Sequence, residues 1–369
     1  MKVGPYRIKF KERVEFTTLD ATRIALFSVI LTLIAFCAFF LKEGINPLVG
    51  YREMFSYAFT TNSGIELTLR RMSFMLFVTL AFIIPMRGGI WNVGAPGQLY
   101  MGMISAVGVG IWGKGLPAEI LIPLMILAAI ISGGILGAFV GYLKEKMNVN
   151  EIVVALMLNL IMFYLVKYLI EGPWMDRSGR PESTQLPHAA RLPMISDTLI
   201  PYSIFLAIAL GIILYFFLSK TSFGYQIRLM GANPNAARYS GISSVKIGVV
   251  TMFMGGALAA LAGIHQVAGI AGVYRIHRYF AGKPGTWAYY GIVFGLISVL
   301  NPMAAIVVCF LFTGMQVGTL ALQGRLGMGY GADLALIGIL MIFLVAGQFF
   351  YRKKFTCFRE INTTDGETQ

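Results

Sequence analysis

Apolar residues along this chain gather in runs of about twenty, separated by short polar breaks. A helix advances about 1.5 Å per residue and the hydrocarbon core of a bilayer is about 30 Å thick, so each run can cross it once. The pattern predicts spans near 23–41, 67–86, 94–112, 119–143, 151–170, 200–218, 246–266, 286–300, 303–322 and 333–351. The expected fold class is all-α: a polytopic transmembrane helical bundle of about ten spans. Residues 1–22 form a cytoplasmic N-terminal segment, 23–351 the transmembrane domain and 352–369 a cytoplasmic tail. The run 286–300 is short enough for a half-helix. Residues 42–66, with Tyr51, Phe55, Tyr57 and Phe59 among polar groups, read as an interfacial segment on the outer side.

Composition agrees. The chain is 57% hydrophobic and only 13% charged, against roughly 25% charged in soluble proteins, and its mean hydropathy is +0.73. The first span follows a long basic stretch, and Cys37-Ala38-Phe39-Phe40 lacks the small-residue spacing of a cleavage site, so this span reads as a retained anchor. A net charge of +13 raises the question of nucleic acid. Position answers it: Lys2, Arg7, Lys9, Lys11, Arg13 and Arg23 precede the first span, Lys144 and Lys146 follow the fourth, and Arg352, Lys353 and Lys354 follow the last. With Lys220, Arg228, Arg238 and Lys246 they give a positive-inside bias, with both termini cytoplasmic and lipid, not nucleic acid, as the neighbour. Arg70, Arg71, Arg177, Arg180, Arg191, Arg275 and Arg278 fall on the opposite face. Cys37, Cys309 and Cys357 are scattered, and His188, His265 and His277 have no ligand spacing, so neither a disulfide framework, a metal site nor a cofactor is expected.

Several polar or small residues stand out against this background. Gly133, Gly137 and Gly141 fall four apart on one face, as do Gly255, Ala259 and Gly263. That spacing lets helix backbones approach closely, either in static packing or at sliding interfaces. Gly88-Gly89-Ile90-Trp91-Asn92-Val93-Gly94-Ala95-Pro96-Gly97-Gln98 cannot be good helix interior. It is either a tight cytoplasmic turn or a broken-helix element at a solute path, since irregular backbone at membrane depth needs protein or water to satisfy it. Asn150-Glu151 opens a span, where an acid suits the first helical turn, and Asn159 lies on the same face inside an apolar run. Asp333 opens the last span and is equally ambiguous. Gly108 to Gly115 nearly matches a phosphate-binding loop but lacks the Ser/Thr and the strand–helix setting, so the chain carries no ATPase machinery of its own.

Residues 231–242, Gly-Ala-Asn-Pro-Asn-Ala-Ala-Arg-Tyr-Ser-Gly-Ile, are a short polar helix between spans. Asn233 is a good N-cap, Pro234 suits the first helical position, and Gly241 can close the helix in the left-handed conformation. Barely two turns long, it needs a docking surface to persist.

Together these segments resemble one family. Thr221-Ser222-Phe223-Gly224 through Gly231 to Ile242 looks like the cytoplasmic coupling segment (219–246) of ABC importer permeases, in the branch that carries simple sugars, nucleosides and branched-chain amino acids. Asn92-Val93-Gly94-Ala95-Pro96-Gly97-Gln98 resembles the Asn-Ile-Gly-Ala-Glu-Gly-Gln motif of its nucleoside-type group, with Pro96 in place of the glutamate. Asn150-Glu151-Ile152-Val153 with Met157-Leu158-Asn159 is similar to that group's mid-chain motif. Gly291-Ile292-Val293 to Asn301-Pro302 and Phe312-Thr313-Gly314 fit more loosely, and Gly285-Thr286-Trp287-Ala288-Tyr289-Tyr290 is more aromatic than the family pattern.

The resemblance implies a transport subunit rather than an enzyme, translocating a nucleoside or simple sugar. Its implied partners are cytoplasmic ATPase subunits, a second permease subunit (a copy or a relative) and an extracytoplasmic solute-binding protein. Gly231, Asn233, Pro234, Ala236, Ala237, Arg238 and Gly241 would meet the ATPase. Trp91, Trp287, Tyr289 and Tyr290 would stack on a base or sugar face, while Asn92, Gln98 and Asn159 bond its hydroxyls. The rival is an ion-gradient-driven secondary transporter, for which Glu151 and Asp333 are the only candidate intramembrane acids. An intramembrane enzyme has no residue constellation to support it.

Overall fold

The computed structural model describes residues 2–3, 6–12, 18–277, 283–329 and 331–359. Its elements are β1 (Lys2–Val3), β2 (Tyr6–Glu12), α1 (Thr18–Lys42), α2 (Pro47–Thr60), α3 (Asn62–Arg87), α4 (Ala95–Trp112), α5 (Ala118–Met147), α6 (Glu151–Glu171) and α7 (Ser203–Lys220). There follow α8 (Ser222–Ala232), α9 (Pro234–Tyr239), α10 (Ser244–Ala268), α11 (Lys283–Ala288), α12 (Tyr290–Ile297), α13 (Pro302–Leu326), α14 (Ala332–Arg352) and β3 (Lys353–Arg359). The chain divides into two compact units, residues 1–44 with 334–369, and residues 45–333.

Helix dominates, as expected, but the first unit departs from an all-α reading. β1, β2 and β3 form an antiparallel sheet in that order, with Tyr6 opposite Arg359 and Glu12 opposite Lys353. Residues 6–11 alternate apolar and charged with a period of two, which suits a pleated strand. Hydropathy counting is blind to that period, and the pairing joins two ends of the chain. The expected cytoplasmic tail therefore begins as a strand; positions 360–369, and Arg13 among the basic residues counted earlier, lie outside the described residues. Within the same unit Ser28 Oγ donates to the carbonyl of Phe343 at 3.1 Å.

Among the described residues, seven helices are long and apolar enough to cross a membrane: α1 from Thr22, α3, α5, α6, α7, α10 and α13. Three predicted runs fall short of that standard. α4 carries Pro96, Gln98 and several glycines. The 286–300 run divides into α11 and α12, and the apolar stretch described within α14 is Ala332–Phe343. The aromatic stretch before α3 is helical too. α2 starts on the side-chain cap of Asn46 and buries Gly50, Met54 and Ala58. It packs along α13, with Met54 against Gly318 and the Phe59 ring against Gly314, rather than lying free at an interface.

In the second unit α10 is the hub, and it is buried along most of its length. A Cβ on Gly133, Gly137 or Gly141 of α5 would run into the backbone carbonyls of Gly256, Met252 and Gly248 in turn. On another face Gly255 sits against Pro85 and the Ala81 carbonyl of α3, and Gly263 against the Leu99 carbonyl of α4. The small-residue stripes thus serve direct backbone contact, which is how helices gain dispersion energy in lipid without a hydrophobic driving force.

The turn between α12 and α13 is strained. Val299 and Leu300 both adopt left-handed backbone, at φ 53° and 55°, a region that costs roughly 1–2 kcal/mol per non-glycine residue. Arg87, the last residue of α3, holds it, its Nε donating to the Leu300 carbonyl at 2.8 Å and a terminal nitrogen to the Val299 carbonyl at 3.3 Å.

Gly137→Val should force α5 off α10, costing at least about 1–3 kcal/mol. Its thermal unfolding midpoint in detergent should fall by several degrees, while Gly324→Val, where nothing lies within 4 Å of the added carbon, should unfold like the parent.

Candidate functional site

The irregular chain between α3 and α4 is held by a set of buried side-chain hydrogen bonds. It starts with Gly89 at φ +82° beside Gly231, whose own missing side chain leaves room for the Arg87 carbonyl. Gly88 faces Ile227 of α8 and Ile247 of α10. The break therefore begins at the end of the bundle that carries the short polar helix. It then runs inward: Val93 and Gly97 meet Asn159, about 12 Å along α6 from Glu151. The chain is non-helical between Arg87 and Ala95, as both sequence readings require.

Three amide side chains satisfy it. Asn92 is 0% exposed and Gln98 1%. Their amides pair reciprocally, Asn92 Nδ2 to Gln98 Oε1 at 2.9 Å and Gln98 Nε2 to Asn92 Oδ1 at 3.0 Å. Asn92 Nδ2 also reaches the Ala81 carbonyl at 3.1 Å. Asn159 Oδ1 accepts from the Gly97 N–H at 2.8 Å, while its Nδ2 donates to the Val93 carbonyl at 3.0 Å and the Tyr289 hydroxyl at 3.3 Å. Asn92, Gln98, Asn159 and Tyr289 are thus brought together as an internal staple, with their polar atoms already engaged. Trp91 lies beside it, its ring 5.7 Å from that of Phe82.

The polar segment takes the expected local form. Thr221 Oγ1 caps α8 by accepting from the Gly224 N–H at 3.0 Å, and Asn233 Oδ1 caps α9 by accepting from the Ala236 N–H at 3.1 Å. Gly241 is left-handed at φ +77°, and the Ile242 N–H closes back on the Ala237 carbonyl at 3.0 Å. Only Ala237 of α9 is buried, whereas Tyr239 is 93% exposed. Between α9 and the start of α6 lies a cleft of about 520 Å³, lined by Gly89, Glu145, Asn150, Gly231, Pro234 and Arg238. The ion pair Lys144–Glu151, at 2.7 Å, borders it. Glu151 is a paired residue of the first helical turn, not an isolated acid at membrane depth.

Trp287 is not part of the staple. It lines a separate cavity of about 140 Å³ at the other end of α3, together with Arg70, Arg71, Phe74, Gln266 and Asp333. The Arg71 guanidinium lies 5.7 Å from the Trp287 ring centre, and Phe74 packs edge-on at 6.3 Å. Sequence reasoning treated Arg70 and Arg71 as flanking charges. The signal was present, since both fall inside the predicted span 67–86, where ionisable groups face a cavity or a partner.

Residues 64–345 match the family model described as branched-chain amino acid transport system, permease component. The chain is 30% identical over 325 residues to the glucose ABC transporter permease protein of Haloferax volcanii, covering 84% of this chain and 83% of that protein. Over 327 residues it is 27% identical to the guanosine ABC transporter permease protein of Bacillus subtilis, covering 88% and 92%. Identity to the nucleoside ABC transporter permease protein of Lactococcus lactis is 25% over 289 residues, covering 75% and 78%. The chain is a membrane-embedded permease, a transport component rather than an enzyme. It belongs to the family of permease components of branched-chain amino acid transport systems. These relatives favour an ATP-driven system over an ion-gradient-driven one.

Asn92→Ala strands the Gln98 amide in the interior and should cost about 1–3 kcal/mol. Replacing both Asn92 and Gln98 with leucine removes the orphan, so the double variant should recover part of the lost thermal stability. Additive losses in that double-mutant cycle would break the staple argument.

Proposed function

We propose that this chain is the membrane-spanning subunit of an ATP-driven importer that moves a nucleoside or a simple sugar across the cytoplasmic membrane. In this reading two permease subunits, identical or related, sit on two cytoplasmic ATPase subunits and receive solute from an extracytoplasmic binding protein. α9 is the coupling helix. The observation that carries the reading is its form: a two-turn helix, capped at both ends, with one buried residue and Tyr239 held almost wholly in the open. A helix this short gains little from its own hydrogen bonds, so the surface it presents is for another protein. Behind it the backbone contact of Gly231 with Arg87 and Gly89 gives a stiff route from docked ATPase to the end of α3.

Ten crossings fit the chain better than seven. β2 precedes α1 and β3 follows α14, and their pairing supports a reading in which both lie on one side of the membrane. That requires an even number of crossings. Counting α4, the α11–α12 pair and α14 with the seven long helices gives ten. The basic residues before α1 and around α8 and α9 argue that this side is cytoplasmic.

The Asn92–Gln98–Asn159 network supports a refined role for those residues. They hold the broken helix in shape, and the solute meets the walls that this shape leaves. The nucleoside and sugar alternatives both follow from the names of the relatives, two of which carry nucleosides and one glucose.

The test is uptake of labelled nucleosides and sugars in cells with and without this chain, with ion gradients collapsed in parallel. Chain-dependent uptake that survives gradient collapse supports the reading, and uptake that dies with the gradient overturns it. In the same assay, Asn233→Ala with Pro234→Ala should lower solute uptake by tenfold or more while the transmembrane bundle keeps its unfolding midpoint. Unchanged uptake in that variant would remove α9 from the coupling role.

A further inference from the structure

His265 lines both the Arg71–Trp287 cavity and a second one, of about 230 Å³, between α5 and α7. α5 packs on α10 and α7 on α3, and the gap between the two outer helices is rimmed by Ile122, Ile126 and Leu206. Leu206 is 38% exposed, whereas the floor of Phe77, Leu261 and Ile264 is buried. The gap is therefore open on its outer side and closed behind. α5 and α7 contribute their early turns and α10 its last ones, so it lies at the end of the bundle away from α8 and α9.

The polar groups of the floor are spent. Ser203 Oγ and His265 Nδ1 hydrogen-bond each other at 2.8 Å, and His265 also bonds the Arg70 backbone. Tyr202, half-exposed, is the one other polar side chain of the lining, and the rest is hydrocarbon. This chemistry separates the possible occupants. An apolar cavity of roughly 150 Å³ stays dry yet takes benzene, so water is a poor filling for a larger one of the same kind. A nucleoside or sugar would leave its hydroxyls without partners. A helix of a second copy, about 10–12 Å across with its side chains, could cover the gap but not enter it. An acyl chain is apolar, narrow and already at hand. Only 33% of the apolar stretch of each of α5 and α7 is buried, so the outer faces of these spans stand against lipid. Filling the gap also gains dispersion contacts that an empty one forfeits.

We infer that this gap binds an acyl chain of a membrane phospholipid, drawn from the leaflet on the side away from α8 and α9. The chain enters between Ile126 and Leu206 and ends against Phe77, Leu261 and the His265–Ser203 pair. Hydrocarbon thus backs the same histidine that walls the Arg71–Trp287 cavity. The inference needs only a membrane-embedded chain and does not depend on which solute is carried.

The experiment uses the full-length chain in nanodiscs of a phosphatidylcholine with a photoactivatable diazirine on its acyl chain, followed by digestion and mass spectrometry. Bulk lipid should label Leu124 and Phe205, which are 43% and 57% exposed. A bound chain should also label Phe77, Leu261 or Ile264, which bulk lipid does not touch. Leu206→Trp, which blocks the mouth, should abolish labelling of the floor and leave Leu124 and Phe205 unchanged. Ile126→Trp, on the opposite rim, gives the same readout should Leu206→Trp fail to fold. Labelling confined to Leu124 and Phe205 in the parent overturns the inference. Floor labelling that persists in both variants overturns it too, since lipid would then reach those residues by another route.

Discussion

A main chain that leaves the helix inside a packed bundle must find partners for its N–H and C=O groups, and the stretch between α3 and α4 depends on that requirement. Asn92 ties it to α3 through the Ala81 carbonyl and to α4 through Gln98, and Asn159 ties it to α6. These contacts set where α4 begins and how it leans on α6 and α10. The amides are buried and reciprocally bonded, so each member is worth keeping only while the others are present. Such a network specifies one arrangement instead of merely adding stability.

Around the staple, the bundle is built on backbone proximity. α10 touches α5, α3 and α4 through positions where any larger side chain would meet a carbonyl. Contacts of this kind are stiff, because there are no long side chains to absorb a displacement. The same property holds at the polar end, where Gly231 lies on Arg87 and Gly89. Arg87 in turn grips the left-handed turn at Val299 and Leu300. One residue therefore joins the end of α3 to the turn between α12 and α13, beside the contact with Gly231 of α8.

The distant cavity has the opposite character. Its Gln266 Nε2 is buried without a hydrogen-bond partner, whereas the amides of the staple are engaged. Asn92, Gln98 and Asn159 hold the break between α3 and α4 together, whereas Trp287, expected alongside them, lines the separate cavity.

Much of this was legible from the sequence because it is local. The long spans follow from hydrophobic run length, and α9 follows from Asn233, Pro234 and Gly241, residues whose preferences act within a few positions. The interruption near 88–98 was visible for the same reason, since glycine and proline break helices wherever they stand. What local signals could not contain is pairing across the chain. Asn92 reads as a solute contact until Gln98 is seen to occupy its amide. Arg70 and Arg71 read as flanking charges until α10, α11 and Asp333 close around them, and the strand at 353–359 exists only because 6–12 lies beside it. Run length and capping are properties of a segment and were fixed by its residues. Whether a polar group is consumed or left free is a property of what packs against it, and only the tertiary structure decided that.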